Sequence, residues 1–232
     1  MTTLGGSERT RPDDSPMTTA LAAVQGPPLR PLDRALRSWR IRKVGPYLRS
    51  GSRVLDVGCY DGSLFARFAD RITKGVGVDP ALVGSGRRAR FDFIAEPFPT
   101  SRIGDERFDV ITLLAVLEHV EPSSLVAWRD ACERHLATDG VVVATVPSPR
   151  VDDMLELLGR MHLIAGMAVH EHHGFDPSDV PRLFSTGAME LEVEERFELG
   201  MNNLFVFRKL EPGDGASRRS APRRFGPRLR PS

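Results

Sequence analysis

The chain has 232 residues, 41% of them hydrophobic and 27% charged, and a net charge of +1. That is enough for one domain with a sizeable core plus tails, and too little charge imbalance for a fold that coats nucleic acid. Two cysteines, Cys59 and Cys132, exclude a disulfide framework and suit a reducing compartment.

The charge is unevenly spread. Residues 211–232 carry six arginines and a net charge of +4, whereas residues 32–210 sum to −3. The longest apolar runs, 110–117 and 141–146, fall far short of the ~20 residues a membrane helix needs, and the first 16 residues hold no apolar leader segment. A cytoplasmic location is the expectation.

Taken in order, residues 1–31 are rich in Thr, Ser, Gly and Pro without a period and are expected to be a disordered tail. From Leu32, the apolar set Leu32, Leu36, Trp39 and Val44 interleaved with Arg34, Arg37, Arg40, Arg42 and Lys43 predicts an amphipathic helix. It would cover the sheet, or form a lid over a ligand mouth. Val54 to Val57 reads as a buried strand that turns at Gly58 and Gly62 into a helix with Leu64, Phe65, Phe68, Ala69 and Ile72 on one face. Glycine tolerates unusual φ/ψ and carries no Cβ, so such a turn brings bare backbone N–H groups close to a ligand. Short glycine turns also serve as plain connections.

Lys74 to Val78 predicts a second parallel strand ending at Asp79, 17 residues past Gly62. An acid at that position can accept hydrogen bonds from both hydroxyls of an adenosine ribose. The dinucleotide fingerprint G-x-G-x-x-G is absent, because Tyr60 and Ser63 replace its second and third glycines. Gly84 to Arg90 is poor helix material; Phe91 to Ala95 is a third strand that Pro97 stops. Phe108 to Leu114 is a buried fourth strand continuing into Ala115 to Val120. Pro122, Ser123 and Ser124 start a helix with Leu125, Trp128, Cys132 and Leu136 inward. Asp139-Gly140 is a turn, and Val141 to Val146, apolar throughout, is a central strand covered on both faces.

In the last third, 152–167 has a helical pattern and 170–175 is a histidine-rich loop. Ser178 to Phe184 suits a short helix with Pro181 in its first turn. Two strands, 191–199 and 204–209, would be joined by a reversal at 200–203. Residues 211–232 are expected to be a disordered, arginine-rich tail. Alternating strands and helices of this kind imply an α/β fold around a parallel sheet.

The run Asp56-Val57-Gly58-Cys59-Tyr60-Asp61-Gly62 resembles motif I of class I S-adenosylmethionine (SAM)-dependent methyltransferases, with Tyr60 in place of the middle glycine. Val76 to Asp79, the 108–120 segment with Leu117-Glu118-His119-Val120, and 136–140 extend that resemblance over roughly residues 32–210. It implies a Rossmann-like class I methyltransferase fold with a mostly parallel seven-stranded sheet, an antiparallel terminal strand and helices on both faces. It also implies SAM as cofactor, held at Asp56, Gly58, Cys59, Tyr60, Gly62 and Ala115, with Asp79 on the ribose and Glu96 on the adenine amino group.

A hydroxyl acceptor must lose a proton, and histidine suits that task near neutral pH. His119, just past the fourth strand, and His172 or His173 in the later loop are the candidate bases; the plain alternative is packing or exposed loop polarity. Some similar enzymes carry E-x-x-E-H here and bind a divalent metal. Ala115 stands at the first position of that pattern, which leaves Glu118, His119 and His170 as a reduced ligand set. The implied activity is methyl transfer to a small molecule, with an oxygen acceptor preferred. The competing readings are an RNA methyltransferase using the arginine tail, and a SAM-binding protein without catalysis.

Overall fold

The structure, a computed structural model, describes residues 31–148 and 176–211. Their strands are β1 (Ser52–Val57), β2 (Ile72–Val78), β3 (Gly86–Arg88), β4 (Phe91–Ile94), β5 (Phe108–Leu114), β6 (Leu136–Pro147), β7 (Met189–Phe197) and β8 (Asn202–Lys209). They form one sheet in the order β3-β4-β2-β1-β5-β6-β8-β7. The five central strands β4, β2, β1, β5 and β6 run parallel, β8 lies antiparallel to both β6 and β7, and β3 lies antiparallel to β4.

The sheet is buried on both faces because its central strands are apolar at successive positions, and successive side chains point to opposite sides. Leu55, Ile111, Val142 and Phe207 belong to the core on one face; Val54, Val110, Val141, Val143 and Val206 belong to the core on the other. On the second face lies α1 (Pro31–Val44), which buries Ile41 and Val44 against β1 and β5 residues. On the first face lie α3 (Leu125–His135), through Ala131 and Cys132, and α4 (Val180–Phe184), through Val180 and Phe184.

The sheet has eight strands where seven were expected. The extra one, β3, pairs Gly86 with Phe93 at the sheet edge. Its Gly-Arg-Arg sequence has no apolar alternation to announce it, and short, charged edge strands are a usual way to blunt an open edge.

The helix after the glycine turn is α2 (Ser63–Arg67), only five residues long, and Ile72 opens β2 instead of closing the helix. Leu64, Phe65, Phe68 and Ile72 nevertheless share one core cluster, so the helical spacing was mimicked by a helix and a strand facing the same interior. Likewise Leu136 belongs to β6, and packs in the same cluster as Cys132. In α1 the buried face is Ile41 and Val44; Trp39 is 45% exposed, which corrects the expected apolar stripe.

The hairpin reverses at 198–200, earlier than expected, and Asn202 and Asn203 fall inside β8, buried opposite Pro147 and Val146. The predicted helix 152–167, His170, His172 and His173, and the tails before 31 and beyond 211, lie outside the described residues. Among the described residues no helix is long and apolar enough to cross a membrane.

Candidate cofactor and acceptor site

The site stands at the C-terminal edge of the parallel strands, where open α/β sheets gather ligands. After β1 the backbone enters the left-handed region at Gly58 (φ 75°), Tyr60 (φ 52°) and Gly62 (φ 72°). A Cβ on Gly58 would lie 2.8 Å from Val116 Cγ2, so this position admits only glycine without movement. Gly58 N–H donates to the Val78 carbonyl at 2.8 Å and Gly62 N–H to the Cys59 carbonyl at 2.9 Å, which fixes the turn against β2.

Asp79, one residue past β2, completes the lock. Tyr60 N–H donates to its Oδ2 and Ala81 N–H to its Oδ1, each at 2.8 Å. Each carboxylate oxygen can accept more than one hydrogen bond, so capacity remains for a ligand. Because Val78 pairs with Ile94, Asp79 and Glu96 flank the same end of two adjacent strands. Glu96 is held by Thr100 Oγ1 and by Arg102 Nη1.

From the other side α1 lays Arg37 across the turn. Its Nη2 donates to the Cys59 carbonyl at 2.9 Å and sits 2.8 Å from Asp61 Oδ1, and its guanidinium lies 4.8 Å from the Tyr60 ring centroid. One helical turn on, Arg40 exerts its positive charge on both Glu118 and Glu198. A turn further, Lys43 Nζ lies 2.6 Å from Glu195 and 5.1 Å from the Phe197 ring centroid. The basic face of α1 thus runs from the cofactor turn to the terminal hairpin.

Asp56 is buried and accepts a 2.6 Å hydrogen bond from Thr112 Oγ1. Burial lifts its carboxyl from 3.8 to about 7; the Thr112 bond and Arg37 pull it down, and Asp61 and Asp79 push it up. Burial likewise drives the Cys59 thiol well above its ordinary range, which makes it a packing residue and not a nucleophile.

Past β5, Ala115 (φ 53°) is pinned by its N–H to the Thr145 carbonyl at 2.9 Å and to Thr145 Oγ1 at 3.1 Å. The following 3-10 turn, Leu117–His119, buries Glu118 and leaves His119 exposed. Burial raises the Glu118 carboxyl from 4.5 to about 7, against a backbone hydrogen bond and Arg40.

The structure therefore brings Asp56, Gly58, Cys59, Tyr60, Gly62, Asp79, Glu96 and Ala115 to one edge of the sheet, and Glu118 beside them. Among the described residues no three His, Cys, Asp or Glu side chains are grouped to hold a metal ion. Arg37, Thr112, Glu198 and Asn202 also stand at this edge and were not singled out from the sequence as candidates. The one-turn spacing of Arg37, Arg40 and Lys43 was the available signal for the first; the others are visible only through strand pairing.

A parallel sheet with an antiparallel strand next to its edge, a turn with glycine at both ends, and an acid ending the next strand fit an adenosine-bearing sulfonium cofactor, the arrangement of class I SAM-dependent methyltransferases. The chain belongs to the methyltransferase domain family, whose model, described as "Methyltransferase domain", matches residues 30–195. It is 30% identical over 158 residues to a ubiquinone biosynthesis O-methyltransferase of Idiomarina loihiensis, covering 60% of this chain and 62% of that one. It is 34% identical over 131 residues to the Pseudomonas fluorescens protein of the same name, covering 50% of this chain and 51% of that one. The chain thus spans between half and two thirds of the length of these curated relatives.

In fold it is similar to a putative methyltransferase from Bacillus halodurans, with a TM-score of 0.55 at 15% identity over 74% of this chain and 99% of that one. It is also similar to the 1,6-didemethyltoxoflavin-N1-methyltransferase of Burkholderia thailandensis, solved with S-adenosylhomocysteine, with a TM-score of 0.53 at 18% identity over 81% of this chain and 94% of that one.

Proposed function

We propose that this SAM-dependent methyltransferase acts on a small molecule and that the acceptor atom is a hydroxyl oxygen. The observation that carries this reading is Glu118, a carboxyl only 4% exposed, whose Oε2 has no hydrogen-bond partner among the described residues. A buried, unsatisfied acceptor at the ligand edge suits an enclosed polar molecule, whereas a polymer-binding surface would present exposed bases. The two relatives named as O-methyltransferases support the choice of oxygen.

In this reading Asp79 uses its remaining lone pairs for the ribose hydroxyls, Glu96 faces the adenine, and Asp56, Gly58, Cys59, Tyr60, Gly62 and Ala115 shape the walls. When bound, SAM supplies an already activated methyl group. The chain contributes position, which can be worth ~7–11 kcal/mol of the barrier. A histidine, His119 or one of His172 and His173, takes the hydroxyl proton and adds on the order of 10²–10⁴-fold.

The test has two stages. Calorimetry with S-adenosylhomocysteine first measures the cofactor site. The release of S-adenosylhomocysteine from SAM is then followed with phenols, aliphatic alcohols, amines and a bulk RNA. Turnover of hydroxyl compounds supports the proposal; preferential methylation of amines or RNA sinks it.

A further inference from the structure

Beyond Glu118, the terminal hairpin brings a second set of buried polar groups to the same edge. Glu198 and Asn202 are each 2% exposed. Asn202 Nδ2 donates to Glu198 Oε2, yet Glu198 Oε1 and Asn202 Oδ1 have no hydrogen-bond partner among the described residues. Buried polar oxygens are nearly always satisfied, by protein, water or ligand, and an orphan is costly.

Their placement follows from the sheet register. Leu114 pairs with Thr145, whose carbonyl and hydroxyl pin Ala115, three residues before Glu118. Two residues beyond Thr145, Pro147 pairs with Asn202. The end of β6 is therefore shared by the Glu118 turn on one side and the Glu198–Asn202 pair on the other. Arg40 reaches both with its positive charge from the helix above. Glu198 is also held at φ 51°, a conformation that a non-glycine residue adopts only when its surroundings impose it.

Three of the buried polar atoms left over at this edge, Glu118 Oε2, Glu198 Oε1 and Asn202 Oδ1, are oxygens that can accept from a donor. A divalent cation is a poor occupant, because Arg40 already offsets the carboxylate charge that would attract it. We propose that Glu198 and Asn202 form the recognition site for a neutral hydrogen-bond donor, a hydroxyl or an N–H, that the methyl acceptor carries away from its reacting atom. This rests on the small-molecule reading above, and it makes Glu198 a specificity-determining residue. An acceptor with that second donor satisfies the orphaned oxygens; an analogue lacking it leaves them buried and unpaired, and is rejected.

The experiment uses the full chain saturated with S-adenosylhomocysteine and compares binding of resorcinol with that of 1,3-dimethoxybenzene by saturation-transfer NMR titration. The two probes share a ring and differ in donors. The wild-type protein should bind resorcinol about 10-fold more tightly. Glu198→Gln, which keeps the shape, and Asn202→Ala should each reduce that preference to about 3-fold or less, with S-adenosylhomocysteine affinity within about 2-fold of wild type. Equal binding of both probes by the wild type, or a preference that survives both substitutions, overturns the proposal. The wild-type comparison needs no variant and so does not depend on variant folding. Failure to bind S-adenosylhomocysteine would count against the cofactor site, turnover of RNA against the small-molecule reading and turnover of amines against the oxygen acceptor, none of which this preference measures.

Discussion

Arg37 of α1 and Asp61 of the cofactor turn form a 2.8 Å ion pair across 24 residues of sequence, and the same guanidinium also binds the Cys59 carbonyl. Both side chains are roughly one-fifth to one-quarter exposed, so the pair is neither fully screened nor fully desolvated. Its consequence is geometric: the N-terminal helix holds the turn in the shape that faces the cofactor. Arg37→Met should weaken S-adenosylhomocysteine binding by about 10-fold, while the denaturation midpoint changes little. Calorimetry decides it; unchanged affinity would reduce α1 to a packing helix.

Asp79 makes a sharper case. Its two oxygens hold Tyr60 N–H and Ala81 N–H, so the residue orders the turn besides meeting any ligand. Asp79→Ala removes charge-assisted hydrogen bonds worth ~1.5–3 kcal/mol each, and the dissociation constant for S-adenosylhomocysteine should rise by at least about 10²-fold. Asp79→Asn keeps one acceptor oxygen and should fall between. If the two variants bind as wild type does, the ribose assignment fails.

Asp56 predicts how stability depends on pH. Its carboxyl, ordinarily at 3.8, is raised to about 7 in the folded protein by burial, and Glu118 goes from 4.5 to about 7 for the same reason. Between about 4 and 7 the folded state therefore holds protons that the unfolded chain has released. Unfolding free energy must fall as pH rises through that window, by up to about 1.4 kcal/mol per pH unit for each group, and level off above it. Urea denaturation at pH 5, 6, 7 and 8 should show the decline, and Asp56→Asn should make it shallower, leaving the share due to Glu118. A wild-type curve that climbs over this range would contradict the assignment.

Two glycines should respond differently to the same change. A Cβ on Gly58 meets Val116 at 2.8 Å with φ at 75°, so Gly58→Ala should abolish cofactor binding. A Cβ on Gly75, in the middle of β2, meets the core-facing Phe65 and Phe91 rings at 2.6 and 2.7 Å. Gly75→Ala should cost roughly 1–3 kcal/mol of stability through overpacking, with cofactor affinity of the folded fraction unchanged. Paired denaturation and calorimetry separate the two effects.

Tyr60 sits where similar enzymes carry glycine, and it adopts glycine's left-handed φ of 52°. The strain of about 1–2 kcal/mol is offset by its ring beneath Arg37, worth roughly 0.5–1 kcal/mol at such exposure. Tyr60→Gly should therefore leave the unfolding free energy from urea denaturation within about 1 kcal/mol of wild type. A large loss would mean the ring contributes more than this stacking.

Much of the fold was legible because parallel strands buried on both faces are predominantly apolar, and 54–57, 108–114 and 141–146 are, with Asp56, Asp109, Thr112 and Thr145 as their polar members. The Asp56-to-Gly62 turn and Asp79 were legible because a left-handed backbone and an acid at a strand end leave residue-type marks. The short strand β3 was not, since Gly-Arg-Arg owes its strand form to the Phe91–Phe93 edge beside it. Helix α2 was overextended because Ile72 points into the same core from a strand. Asn202 and Asn203 looked like turn residues, and only pairing with Val146 and Pro147 makes them buried strand.

The sequence by itself determined seven of the eight strands in their order, the glycine turn and the acid that follows it, because each depends on local periodicity or on a single residue's conformational range. Only the tertiary structure decided which distant groups meet. Arg37 on Asp61, Thr112 on Asp56, and the Glu198–Asn202 pair on the edge that holds Glu118 are contacts between strands and helices far apart in the chain. Such contacts are set by sheet register and by the packing of α1, and no local stretch of sequence contains them.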